Sequence, residues 1–148
     1  MEMNFDKIEQ EIANLKRQNI EQRNQIEEVN KEHEKALDKL FYDILEVLDS
    51  FNKAEQIIKE RALDNDENAS KAIKRLLSPK KKVLNILTNY HVEEITFEDG
   101  MMRDADCRIY ETEPDTSKPD GTIVSIEKPG YKRNGRLLRP AEVIIVRN

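Results

Sequence analysis

One cysteine (Cys107), two histidines, four glycines and no tryptophan occur among the 148 residues, and each scarcity closes off a class of protein. A lone thiol builds no internal disulfide framework and is compatible with a reducing compartment. No apolar run approaches the roughly 20 residues that span a bilayer, and the polar start "MEMNFDKIEQE" has no signal-peptide core. The expected location is therefore the cytoplasm, with no membrane contact. There is no Gly-rich phosphate loop ending in Gly-Lys-Ser or Gly-Lys-Thr, no His-Glu-x-x-His and no Cys-x-x-Cys. A catalytic group, a metal or a cofactor is accordingly not expected. Cys107 could meet a histidine only by tertiary accident, and its simpler reading is a small buried residue in a strand.

Apolar residues are scarce too. Only 37% of the chain is hydrophobic, while another 37% is charged, which is lean for a globular core and suits elongated helices that bury apolar surface against a second copy. The formal net charge of −5 disfavours nucleic acid as a partner, because phosphate binding needs a basic surface. Charge is unevenly spread. Residues 98–120 hold eight acidic and three basic side chains, and residues 126–148 hold six basic and two acidic, so the second stretch favours an acidic protein surface.

What is abundant is helical periodicity. Phe5, Ile8, Ile12, Leu15, Asn19, Gln22, Ile26, Val29, His33, Ala36 and Leu40 follow the 3-4 spacing of a and d positions for about five heptads without Gly or Pro. This predicts a coiled-coil stalk over residues 1–40 and a homodimer. Asn19 at an a position fixes register and favours a parallel pair at a cost in stability. With Gln22 and His33 also on the seam, the coil should melt early; His33 is read as a weak seam position in preference to a pH sensor. Beyond Leu40 the stripe widens through Phe41, Ile44, Leu45, Val47, Leu48 and Phe51, as in a helix with more than one helical neighbour. A four-helix bundle is expected over residues 41–92. Dimer contacts are expected at Ile8, Ile12, Leu15, Asn19, Ile26, Val29, Leu40, Ile44, Leu48 and Phe51.

A first helix from about residue 4 to about residue 62 would measure on the order of 90 Å. "LDNDENAS", residues 63–70, reads as a connection, with Asn68 or Ser70 capping a second helix. Pro79 should kink or restart that helix near Ser78. The period then changes. "CRIYETE", "TIVSIEK" and "EVIIVRN" read as strands, punctuated by Asp120-Gly121, Pro129-Gly130 and Asn134-Gly135, which makes a small β domain over residues 93–148. The fold class is mainly α with a small C-terminal β domain (α+β). Tyr131, Lys132, Arg133, Arg136 and Arg139 crowd one expected hairpin, and Tyr and Arg are the side chains that anchor protein interfaces.

The run "KPDGTIVSIEKPGYKRNGRLLRPAEVIIV" resembles the C-terminal signature of the GrpE family. The matching positions are Pro119, Gly121, Thr122, Ile123, Gly130, Tyr131, Arg136, Arg139, Pro140, Ala141, Val143 and Ile145. "NYHVEEI" is similar to the family's helix-ending stretch, and coil, bundle and β domain follow the family's order. The resemblance implies a parallel homodimer with paired long helices, a four-helix bundle and two β wings. It also implies nucleotide exchange on the nucleotide-binding domain of a DnaK-type chaperone. By that resemblance Arg136 is the principal chaperone contact, with Tyr131, Lys132, Arg133 and Asn134 beside it, while Arg139 and Pro140 hold the wing together. Arg133 stands where the family has Leu, His91 replaces the helix-ending Gly, and the family's Asp-Pro-x-x-His-Glu-Ala stretch falls on residues 103–109, where it is barely kept. The acidic extension that often precedes the coil is expected to be short or absent. The competing reading is a coiled-coil adaptor whose β module docks another acidic protein.

Overall fold

The computed structural model describes residues 4–148; Met1, Glu2 and Met3 of the polar start lie outside the described residues. The elements are α1 (Phe5–Glu60), α2 (Glu67–Asn89) and six strands: β1 (Val92–Glu94), β2 (Cys107–Glu113), β3 (Ile123–Lys128), β4 (Tyr131–Arg133), β5 (Arg136–Arg139) and β6 (Ala141–Val146). The chain is α+β, and it divides into two compact units, one ending at Lys39 and the other Leu40–Asn148.

In the first unit α1 leaves its apolar seam open. Ile8, Ile12, Leu15, Ile26 and Val29 are all exposed, as is Asn19, and their 3-4 spacing puts them on one face. In the second unit the same helix buries Phe41, Leu45 and Leu48, and α2 adds Leu87. Phe41 packs on Tyr90 with ring centroids 5.2 Å apart, and Lys80 of α2 pairs with Glu55 of α1 at 2.5 Å. Leu48 is thus covered by its own chain, whereas Leu40 remains 53% exposed and Ile44 and Phe51 are half-buried.

Two expectations about α2 are corrected. Its N-cap is Asp66 and not Asn68 or Ser70: Asp66 Oδ2 accepts the Ala69 N–H at 3.0 Å, which satisfies one of the amides that a helix start leaves without a partner. The helix also continues through Pro79 without a break. Proline removes one backbone donor, but Pro79 and Arg75, whose carbonyl loses that donor, are both exposed, so water can meet it. Beyond the proline, the Lys80–Glu55 pair ties α2 to α1.

The strands form two three-stranded sheets, in the orders β1-β4-β5 and β2-β6-β3. The first is antiparallel throughout. In the second, β6 runs parallel to β2 and antiparallel to β3. Strand β6 alternates in the manner of a sheet with one buried face: Ala141, Val143 and Ile145 form the core, with Phe97, Met102, Cys107 and Ile123 packed against it. Cys107 is therefore a half-buried core neighbour in β2.

The expected turn residues have different uses. Asn134-Gly135 closes the two-residue β4–β5 hairpin, and both have positive φ, 51° and 77°, the conformation for which Asn-Gly is favoured. Gly130 lies in the crossover between the two sheets; a Cβ there would collide with the backbone N of Ala141. The Pro129-Gly130 pair thus serves a close approach and not a hairpin turn.

Candidate functional site

The basic hairpin, residues 131–139, is built by β4, its Asn-Gly turn and β5. Its five predicted partner contacts separate by burial. Arg136 and Asn134 are exposed and Lys132 is half-buried. Tyr131 and Arg133 are each only 4% exposed, because side chains at i and i+2 of a strand share a face and this face of β4 turns inward. The Arg133 guanidinium lies 5.8 Å from the Phe41 ring centroid. Where the family pattern has an apolar Leu, this chain accordingly covers α1 with a cation over an aromatic face, an attractive arrangement.

Three sets of bonds hold the hairpin. Its tip is fixed by the Asn134 N–H donating to the His91 carbonyl at 3.1 Å, just after α2, where His91 adopts a φ of 57°. Behind the tip, Lys132 Nζ lies 2.9 Å from Asp106 Oδ1, and Arg103 Nε lies 3.0 Å from Asp106 Oδ2. Asp106 is itself 6% exposed. Its hydrogen bonds to Lys132 and Arg103 outweigh burial and hold its carboxyl below the usual aspartate range. At the base, Arg139 is 3% exposed and grips Asp49 of α1 through NH1–Oδ2 at 2.6 Å and NH2–Oδ1 at 3.0 Å. This forked geometry suits arginine and no other cation.

Tyr131 packs under that guanidinium, 5.5 Å from ring centroid to Arg139 Cζ. Burial, followed by the negative charge of Glu94, pushes its phenol up to about 12.

The sequence reading missed Asp106, Asp49 and Glu46. Asp106 has a local signal, a basic residue three positions before it; Glu46 and Asp49 have none, since their partners Lys128 and Arg139 lie 82 and 90 positions away. Among the described residues no group of three or more His, Cys, Asp or Glu could hold a metal ion, and no helix is long and apolar enough to cross a membrane.

A long helix with an exposed apolar seam, followed by a second helix and a small β domain with an exposed Asn-Gly-Arg turn, defines a helix-and-β-wing protein. The comparison with known sequences is in accord: the GrpE family profile matches residues 1–147, and the chain belongs to the GrpE family. It is 31% identical to the GrpE protein of Methanosarcina acetivorans over 119 residues, which cover 79% of this chain and 54% of that one. It is 29% identical to the GrpE protein of Pseudomonas aeruginosa over 138 residues (90% and 68% of the two chains). With the mitochondrial GrpE homologue of Debaryomyces hansenii it shares 25% identity over 154 residues (96% and 62%). The chain thus spans between about half and two thirds of the length of these relatives.

Proposed function

We propose that this protein is a nucleotide exchange factor for a DnaK-type chaperone, acting in the cytoplasm as a homodimer without chemistry of its own. The observation that carries the reading is the tip Asn134-Gly135-Arg136: exposed, basic, bonded through its backbone to His91 just after α2, and backed by ion pairs of its hairpin to Asp106 and to Asp49 of α1. Two copies pair along the α1 seam, where an exposed apolar stripe calls for a partner. Arg136, with Asn134 and Lys132, meets carboxylates on the chaperone's nucleotide-binding domain, while Tyr131 and Arg133 support the tip from within.

Exchange does not require contact with the nucleotide. A factor that binds the open cleft more tightly than the closed one shifts that equilibrium by the ratio of its affinities. Linkage then makes nucleotide weaken binding of the factor by the same ratio.

The test is the release rate of fluorescently labelled ADP from a purified DnaK-type chaperone of the same source. Saturable acceleration that falls at least tenfold with Arg136→Ala is expected, since losing one charged contact at an interface costs upward of about 1.4 kcal/mol. A folded protein that binds the chaperone tightly without speeding release would instead favour an adaptor role.

A further inference from the structure

The hairpin's base is anchored by more than one ion pair. Lys128 closes β3 and Arg139 closes β5, so the two cations come from different sheets, yet they converge on Glu46 and Asp49, one turn apart on α1. Lys128 Nζ lies 2.7 Å from Glu46 Oε1 and 3.7 Å from Asp49 Oδ2. Arg139 NH1 reaches both carboxylates, at 2.6 Å to Asp49 and 3.6 Å to Glu46. The guanidinium also donates through Nε and NH2 to the Pro129 carbonyl, at 3.1 and 2.8 Å, in the crossover that joins the sheets. One buried cation therefore touches α1, the crossover and the ring of Tyr131.

A buried ion pair stabilises a fold no better than apolar side chains of the same size would. What the forked pair does supply is direction, because it accepts one orientation of the strand against the helix. Arg139 is also three residues along β5 from Arg136, so displacement at the tip reaches α1 through this joint.

We propose that Arg139 and Lys128, with Asp49 and Glu46, are positioning residues that lock the β domain at one angle on α1, so that binding at the tip is converted into opening of the partner. The second half of this statement rests on the exchange reading above; the angular lock does not. Loosening the lock leaves the Arg136 contact surface in place but lets the domain yield when the partner resists.

The test uses the full chain with Cys107→Ser and spin labels at Lys53→Cys on α1 and Arg108→Cys on β2, diluted with excess unlabelled chain so that each assembly holds one labelled copy. Asp49→Asn and Arg139→Lys, each of which abolishes the charged fork, should broaden the label-to-label distance distribution without loss of helix content by circular dichroism. With the chaperone present, the same variants should lower the maximal ADP release rate by about tenfold while changing the half-saturating concentration by less than about threefold, a split that marks a step after binding. Glu46→Gln, at a more open position, should act in the same direction more weakly, and it decides the matter if the other two fail to fold. Unchanged distributions, or a loss confined to half-saturation, would overturn the proposal. If the wild-type chain does not accelerate release, the exchange reading fails, and the distance distributions still decide whether the lock exists.

Discussion

Residues 5–39 and 40–60 belong to one helix yet meet different surroundings. In the first stretch Ile12 and Leu15 are 47% and 57% exposed; in the second, Phe41, Leu45 and Leu48 are at most 2% exposed. Propensity and spacing barely differ between them. What differs is that α2 and the β domain lie along the second stretch, whereas the apolar seam of the first stays open. An isolated helix is marginal in water whatever its propensity, and each fully buried Leu or Phe contributes roughly 1.5–3 kcal/mol. The comparison teaches that an apolar stripe predicts burial without naming the agent. For residues 5–39 the agent is proposed to be a second copy.

The contrast is sharpest when one apolar residue is shortened in each stretch. Leu45→Ala should cost about 2–5 kcal/mol by opening a cavity in a packed core, seen as a lower melting temperature at every protein concentration. Ile12→Ala should cost about 1–2 kcal/mol per chain through lost burial in the proposed pair, and its effect should appear as concentration-dependent melting and weaker self-association in analytical ultracentrifugation. Equal, concentration-independent losses from both variants would break the comparison.

Alkaline pH separates the stretches again. Tyr131 lies in β4, in the same compact unit as the second stretch, and its folded-state phenol is raised to about 12, above the ordinary tyrosine value near 10. The neutral form is the one folding favours, so this stability is complete below about pH 10 and is lost as pH rises toward 12. By pH 11 the loss should be on the order of 1 kcal/mol. Absorbance near 295 nm should show one of the four tyrosines ionising last, and Tyr131→Phe should remove that step.

The smallest effect is expected where α2 hands over to the sheet. His91 holds φ at 57°, a conformation that L-residues enter at some cost and Gly does not. His91→Gly should raise stability by about 0.5–1 kcal/mol, detectable as a higher denaturation midpoint at unchanged slope. A fall would mean that the His91 side chain contributes more than its backbone costs.

Much of this architecture is legible in the residues. The heptads mark α1, Asn134-Gly135 marks the hairpin, and the alternation in β6 marks the core strand, because period and turn chemistry are local. Three features were not legible. Leu48 looks like a dimer contact since periodicity shows a face and not its cover. Tyr131 and Arg133 look like partner contacts since composition does not reveal which side of a three-residue strand turns inward. Asp49 and Glu46 are two of 30 acidic residues, and only the folded chain brings them to Arg139 and Lys128.

The place of β6 has a consequence for how the protein is made. It lies between β2 and β3 and supplies the core residues Ala141, Val143 and Ile145, yet it leaves the ribosome after the other five strands. Until then β2 and β3 have no ladder partner, and Arg139, two residues ahead of β6, is also late to arrive. The helices can form and find one another while the wing is still unmade. If two copies pair along α1 as proposed, nascent chains should assemble before they can engage a partner, and a chain cut short before β6 would lack a finished wing yet still pair with complete copies and disarm them.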